Sequence, residues 1–110
     1  MESNNENKEN ISLLRLKGKL DFTTSTEFEQ KFNIMVNEGG EKFILDFNEV
    51  TYMSSAGLRF LLIALKKTKG KVVLFGVNDS VKQVIEIAGF VSMFKFSNSQ
   101  DEAVEILTKN

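Results

Sequence analysis

Short apolar segments alternate with longer amphipathic segments along most of the chain, and this alternation constrains the fold more than any other feature. Residues 42–47 and 71–76 are apolar runs typical of buried strands, and residues 11–17 and 94–96 have weaker strand patterns. Between and after these runs, apolar residues recur at helical spacing. Strands that alternate with helices are joined by crossovers, which give a mostly parallel sheet covered by helices. The sequence therefore predicts an α/β fold with about four helices.

The first two helices are predicted from capping signals and glycine stops. Thr24 and Glu27 have the spacing of a capping box, so the first helix is expected to start near Thr24 and to end at Gly39-Gly40. Its apolar face is formed by Phe28, Phe32, Met35 and Val36. A loop at residues 48–54 is expected to precede the second helix, which runs from about Ser55 to Lys69 and is mostly buried because it has little polar face.

The last two helices follow the same logic. Asp79 or Ser80 is expected to cap the third helix, and Ser99 with Glu102 forms a second capping box at the start of the fourth. Their predicted inward faces are Val81, Val84, Ile85 and Ala88 in the third helix and Ala103, Ile106 and Leu107 in the fourth.

Two predicted turns, at residues 21–24 and at Ser54-Ser55, follow strands and therefore meet at one edge of the sheet, where such folds place ligands and switches. Ser54 and Ser55 open an apolar helix, where free backbone N–H groups and the helix dipole favour an acceptor oxygen or an anion. On position alone Ser55 is a plain helix cap. A serine there can also carry a phosphate that changes what the surface binds, although position alone favours the cap.

The composition argues against an enzyme. The 110 residues include no cysteine and no histidine, which removes thiol nucleophiles, thiolate metal sites, Ser-His-Asp triads and His-based metal centres. The pair Gly39-Gly40 with Lys42 lacks the spacing of a phosphate-binding loop. We therefore expect no catalytic activity, no metal, no cofactor and no ATP site.

The charge and the N-terminal segment suggest a cytoplasmic binding protein. A net charge of −1 gives no reason to expect nucleic acid or an anionic membrane as partner. No apolar run approaches the roughly 20 residues of a membrane span. Residues 1–10 have no apolar side chain after Met1 and do not resemble a secretory signal. We expect them to be a flexible tail, followed by a single domain at residues 11–110.

Several segments resemble the STAS domain, specifically the small single-domain anti-sigma factor antagonists. They are Gly18-Lys19-Leu20-Asp21, Ile44-Leu45-Asp46-Phe47, Val50-Thr51-Tyr52-Met53 and Ser54-Ser55-Ala56-Gly57-Leu58-Arg59. The resemblance covers roughly residues 11–107 and includes residues 71–76 and Ala88-Gly89-Phe90. It implies the STAS fold, with a mostly parallel or mixed central sheet of 4–5 strands. A fifth, short strand would fall in the polar residues 4–8.

The resemblance implies a regulatory switch. In this family the unmodified protein binds an anti-sigma factor that is also a serine kinase, and binding frees the sigma factor. The kinase then phosphorylates the serine at the start of this helix and the pair separates, until a PP2C-type serine phosphatase restores the hydroxyl. Matched by position, that serine is Ser55, with Ser54 as the alternative acceptor.

This chain departs from the family pattern beside the serine. The family often has Asp directly before it and Ser directly after it, where this chain has Ser54 and Ala56. The missing acidic neighbour weakens the expected kinase recognition and makes Ser54 a competing acceptor. Gly57 is retained, and we expect its lack of a side chain to let a partner approach closely.

The predicted partner-binding surface combines the turn after the first strand with the serine turn. Its residues are Asp21, Thr23, Thr24, Ser25, Met53, Ser54, Ser55, Ala56, Gly57, Leu58 and Arg59. Asp21 either orients the serine or contacts the kinase, or it is an ordinary turn residue. Arg59 either pairs with a partner carboxylate or phosphate, or is solvated. Asp46 is expected to be structural and to bond the backbone of the turn at Asn48 and Glu49.

Two other functions remain open from the sequence. A STAS module without phosphorylation would act as a scaffold in a larger lipid-transport or stress-signalling complex, and the altered residue before Ser55 gives this alternative some weight. An enzyme is the least favoured alternative.

Overall fold

Strands and α-helices alternate through the part of the chain that the structure describes, and a short 3-10 helix (Val91–Met93) precedes the last strand. The computed structural model describes residues 11–109, so the predicted flexible tail and the predicted strand at residues 4–8 lie outside it. The elements are β1 (Ile11–Leu20), α1 (Phe22–Asn37), β2 (Lys42–Met53), α2 (Ser55–Lys67), β3 (Val72–Phe75), α3 (Asp79–Ile87), β4 (Lys95–Ser97) and α4 (Gln100–Thr108). The strands pair in the order β1-β2-β3-β4, all in parallel. The predicted α/β class is confirmed.

The two faces of the sheet are covered by different helices. Side chains alternate along the central strands: Phe43 and Leu45 face the larger core, which α1, α2 and α3 complete, whereas Ile44 faces the opposite side. On that side Ile44 and Val73 pack with residues of α4 in a smaller core. The first three helices therefore form one layer, and the turns that precede them all lie at the carboxyl ends of the strands.

The first two strands are longer than the sequence predicted, and the predicted loop at residues 48–54 is wrong. Irregularities in the pairing of β1 with β2 fall between Arg15 and Lys17 and between Gly18 and Lys19. Gly18 has a φ of +78°, which glycine adopts without strain, so β1 continues past it. Pairing extends to Leu20 and its partner Met53, and both side chains are buried. Both strands consequently end side by side.

Helix α1 starts earlier than predicted. Asp21 is its N-cap: the carboxylate accepts a hydrogen bond from the Thr24 N–H at 3.1 Å, and the Thr24 hydroxyl accepts one from the Asp21 N–H at 3.0 Å. Thr24 is therefore the third residue of the helix, and the predicted capping box of Thr24 with Glu27 is wrong. The hydrogen bond from the Thr24 N–H lowers the pKa of Asp21 below its ordinary value.

The prediction for the cap of α3 is wrong, and the prediction for α4 is confirmed in part. Asn78, rather than Asp79 or Ser80, caps α3 by accepting a hydrogen bond from Val81 N–H at 2.8 Å. Ser99 caps α4 and accepts from Glu102 N–H at 3.1 Å, but the Glu102 side chain accepts from Asn98 N–H, so only half of the predicted capping box forms. Of the apolar stripe predicted for α3, Val81 and Ile85 are buried and Val84 is half-buried, but Ala88 lies exposed after the helix ends.

Asp46 is a buried carboxylate that organises the middle of β2. It accepts hydrogen bonds from the backbone N–H of Asn48 at 2.9 Å and from the Asn48 side chain at 2.8 Å. The Nε of Arg15 on β1 donates to its other oxygen at 3.1 Å. Burial raises the pKa of Asp46, but the hydrogen bonds from Asn48 and Arg15 outweigh it and leave the pKa below its ordinary value. The predicted structural role, with a bond to the Asn48 backbone, is confirmed.

Replacement of Asp46 by Asn is expected to weaken the fold in a pH-dependent way. Because folding lowers the pKa of Asp46, its contribution is present above about pH 4 and is lost as the pH falls through the folded value. We expect Asp46→Asn to lower the free energy of unfolding at pH 7 by about 1–3 kcal/mol. The difference from wild type should narrow below pH 4 in urea unfolding followed by circular dichroism.

The matched control for this measurement is Glu49→Gln, which removes an exposed carboxylate from the same strand. A loss for Asp46→Asn that stays constant from pH 7 to pH 2 would contradict the assigned role of the ionised carboxylate.

Candidate docking and modification site

The start of α2 is tied to the end of β1 by Ser54. The backbone N–H and the hydroxyl of Ser54 both donate to the carbonyl oxygen of Leu20, at 3.0 and 3.1 Å. The Ser54 oxygen also accepts a hydrogen bond from the Ala56 N–H at 3.2 Å, which makes Ser54 the N-cap of the helix. One half-buried serine therefore joins β1, β2 and α2 at a single point.

Ser55 occupies the first position of α2 and is exposed. Its hydroxyl makes no hydrogen bond with any residue from 11 to 109. The plain-cap interpretation considered for Ser55 belongs to Ser54 instead. The two neighbouring hydroxyls thus have different surroundings, one engaged in the fold and one facing solvent beside the positive end of a helix.

Gly57 is the point of closest contact between α2 and the strand ends. A Cβ atom added there would collide with Cγ of Met53 and would lie 3.0 Å from Cβ of Leu20 and 3.1 Å from its carbonyl oxygen. Gly57 is itself buried. Its lack of a side chain therefore serves packing inside the domain, in place of the close approach of a partner that the sequence suggested.

The structure exposes only part of the predicted docking surface. Asp21, Thr23, Ser55 and Arg59 are exposed, Thr24, Ser54 and Ala56 are half-buried, and Ser25, Met53, Gly57 and Leu58 are buried. The buried group packs against the domain interior and supports the surface from below. Asp21 is exposed, but its carboxylate caps α1, so the turn role that the sequence left open is the one observed.

Two exposed aromatic residues at this edge were not among the predicted surface residues. Phe22, the first residue of α1, is 78% exposed, and Tyr52, next to the last residue of β2, is 50% exposed. Both lie where the strands end, beside the start of α1 and α2. Phe22 fell in a predicted turn and Tyr52 in the predicted loop at residues 48–54. An aromatic side chain in such a segment was the signal that could have singled them out.

Arg59 lies one helical turn after Ser55 on the exposed side of α2. Its Nη1 is 3.7 Å from Oε1 of Glu29 on α1, with 73% of the arginine side chain exposed. A second contact between the two helices is shorter: Nζ of Lys67 donates to Oδ1 of Asn33 at 2.6 Å. Helices α1 and α2 are thus linked by polar contacts on their outer side as well as by the core below.

Comparison with known proteins agrees with this architecture. The family model of the STAS domain matches residues 2–103, so the chain belongs to the STAS domain family. Within residues 11–109, no helix is long and apolar enough to cross a membrane.

The chain is similar in sequence to relatives that are named anti-sigma factor antagonists. The chain is 33% identical over 91 residues to BtrV of Bordetella bronchiseptica, a candidate anti-sigma factor antagonist, which covers 80% of this chain and 78% of BtrV. It is 27% identical over 88 residues to the anti-sigma-B factor antagonist of Listeria monocytogenes, with 77% of each chain covered.

The fold is also that of the anti-sigma factor antagonist SpoIIAA. Its unphosphorylated form has a TM-score of 0.76 at 19% identity, covering 93% of this chain and 92% of SpoIIAA. The phosphorylated form, from Bacillus, has a TM-score of 0.66 at 18% identity, covering 87% and 90%.

The two serines are expected to differ sharply in their effect on stability. Ser54→Ala removes the N-cap and the tie to Leu20 and should lower the free energy of unfolding by about 1–2 kcal/mol. Ser55→Ala removes a hydroxyl that makes no hydrogen bond within residues 11–109, and it should change the free energy of unfolding by less than about 0.5 kcal/mol. Urea unfolding of the two variants provides the comparison, in which each protein is the control for the other. Equal losses would contradict the division of roles.

Proposed function

We propose that this protein is an anti-sigma factor antagonist that acts in the cytoplasm by binding, without catalysis. In its unphosphorylated form it binds an anti-sigma factor serine kinase and thereby frees a sigma factor. Phosphorylation of Ser55 by that kinase ends the binding, and a PP2C-type serine phosphatase restores it. Membership of the STAS family supports this proposal, as do relatives that are named anti-sigma factor antagonists.

The observation that carries the proposal is the state of Ser55. Its hydroxyl is exposed and unbonded within the described residues, so a kinase can reach it without breaking the fold. Ser54 is a poorer acceptor, because its hydroxyl donates to Leu20 and accepts from Ala56 N–H. A phosphate on Ser54 would break the cap, whereas a phosphate on Ser55 would add an anion where the helix dipole favours one.

A local electrostatic block is sufficient to switch binding. A phosphate adds about −1.5 to −2 charges at neutral pH. A partner that covers Ser55 would have to strip water from that charge. A penalty of about 3 kcal/mol, the lower end for an uncompensated buried charge, weakens binding more than a hundredfold.

The proposed docking surface is centred on Ser55 and is bordered by the two exposed aromatic side chains. Phe22 and Tyr52 supply apolar area, and aromatic residues are frequent anchors of protein interfaces. Arg59 and the half-buried Ala56 continue the surface along α2. Compared with the surface predicted from the sequence, the proposed surface leaves out the buried Met53, Gly57 and Leu58 and includes their exposed neighbours.

Phosphorylation by the partner kinase should depend on Ser55 alone. After incubation with the anti-sigma factor kinase and ATP, we expect one phosphate on the wild-type protein and on Ser54→Ala, and none on Ser55→Ala. Intact-mass spectrometry measures all three, and circular dichroism confirms that Ser54→Ala is folded. Full modification of Ser55→Ala would overturn the site assignment.

The same proteins separate the switch from the scaffold alternative. Phosphorylated wild-type protein should bind the kinase at least a hundredfold more weakly than the unmodified protein in calorimetry. Undiminished binding, together with a transport ATPase captured from extracts, would favour a scaffold.

Loss of the exposed aromatic ring at position 22 should impair binding without unfolding the protein. We expect Phe22→Ala to weaken kinase binding by about tenfold or more, the effect of an interface residue worth over 1 kcal/mol. Its stability should change little, because the ring is largely in water. Isothermal titration calorimetry measures the affinity.

Ile87→Ala is the matched control for this variant. Ile87 is 79% exposed and ends α3, which runs back from the docking edge to the opposite edge of the sheet. Equal effects of the two substitutions on affinity would contradict the proposed position of the docking surface.

A further inference from the structure

Ser55 and Arg59 have the spacing that brings two side chains together on a helix. They are four residues apart near the start of α2, and both are exposed, so they lie on the same side of the helix. An anion at the earlier position and a cation one turn later is the favoured order, because it also complements the helix dipole.

The ion pair between Arg59 and Glu29 is long and therefore weak. Nη1 of Arg59 is 3.7 Å from Oε1 of Glu29, beyond hydrogen-bond distance, and 73% of the arginine side chain is exposed. The Glu29 side chain is half-buried, but a long pair with a largely exposed arginine contributes little to stability. The guanidinium of Arg59 can therefore leave Glu29 and bind a stronger acceptor that lies within its reach.

We propose that a phosphate on Ser55 takes Arg59 away from Glu29 and forms a phosphate–guanidinium pair across the first turn of α2. This inference rests on the proposed function only in that it requires Ser55 to be the modified residue. A phosphate carries more charge than a carboxylate and presents three acceptor oxygens to the planar fork of N–H donors.

The other charged groups near the start of α2 are less suited to this role. Asp21 on the preceding turn is an anion, and its carboxylate already caps α1. Glu29 on α1 is the competing acceptor for Arg59. Lys19, near the end of β1, is an exposed cation at this edge of the sheet, but it lacks the helical spacing to Ser55. Lys19 is therefore the natural control.

The pairing changes what phosphorylation does to the docking surface. Without it, the modification adds an anion and leaves the guanidinium of Arg59 beside Glu29. With it, the modification adds an anion and also occupies the cation that a partner carboxylate would use. The surface presented to a partner thus loses one favourable contact and gains one unfavourable charge in a single step.

The test uses protein with phosphoserine installed at position 55 during synthesis, so that no kinase is needed. The second ionisation of the phosphate is followed by 31P NMR as a function of pH. Because a nearby cation favours the dianion, Arg59→Gln should raise the second pKa of the phosphate by about half a unit, and Lys19→Gln should change it by less than about 0.2 units.

Competition with Glu29 gives a second readout. Glu29→Gln should lower the second pKa of the phosphate more in the protein that retains Arg59 than in the Arg59→Gln background. Only the protein with Arg59 has a guanidinium that the loss of Glu29 releases. An unchanged pKa in Arg59→Gln, or an equal shift in Lys19→Gln, would overturn the pairing. Neither result bears on whether the kinase modifies Ser55, which the mass measurement decides separately.

Discussion

The carbonyl oxygen of Leu20 accepts two hydrogen bonds from Ser54, and the geometry of the whole site depends on this contact. Leu20 ends β1, Ser54 follows the last residue of β2, and the same serine caps α2. The parallel pairing of β1 with β2 brings these ends together, and Gly57 allows the helix to pack directly on them. As a result, the first residue of α2 has one fixed position relative to the start of α1.

Ser54 can donate a hydrogen bond from its side chain, which the aspartate expected at this position from the family resemblance cannot do. Both residue types are good N-caps. A carboxylate, however, only accepts hydrogen bonds, whereas a hydroxyl accepts from Ala56 N–H and also donates to Leu20. The exchange adds a tie to β1 and removes a negative charge next to Ser55. A phosphate on Ser55 would consequently meet no like charge at position 54, while a kinase would lose an acidic neighbour as a recognition feature.

The layered architecture was predictable because the larger elements follow simple periodic patterns. The runs at residues 42–47 and 71–76 indicated buried strands, and alternation with helices implied parallel pairing. The residues at which the strands end could not be predicted from these patterns. The strand pattern at residues 11–17 stops before Gly18, but in the structure this glycine accommodates an irregularity in the ladder, because a neighbouring strand stabilises the conformation. That stabilisation comes from a residue distant in sequence, which no local pattern reports.

The details of the site were predicted less well for a related reason. Asp21 and Thr24 form a capping box in which threonine takes the place of the usual Glu or Gln, so the match of Thr24 with Glu27 was misleading. Adjacent serines at 54 and 55 are indistinguishable as caps in the sequence. The contact of Ser54 with Leu20, 34 residues away, and its bond from Ala56 N–H assign the capping role to the first serine, and the second makes no hydrogen bond within the described residues.

The Ser55 hydroxyl makes no hydrogen bond within residues 11–109 and lies beside an intact cap, so the proposed switch at this position would need no change of fold. The hydrogen bonds that hold α2 in place involve Ser54, Leu20 and Ala56, and none involves the hydroxyl of Ser55. An anion at the first position of a helix is stabilised by about 0.3–1 kcal/mol, so the isolated domain tolerates the phosphate. A covering partner would meet a penalty of about 3 kcal/mol for the same group. The first energy would stabilise the modified domain and the second would destabilise its complex, so the proposed modification would weaken binding without unfolding the domain.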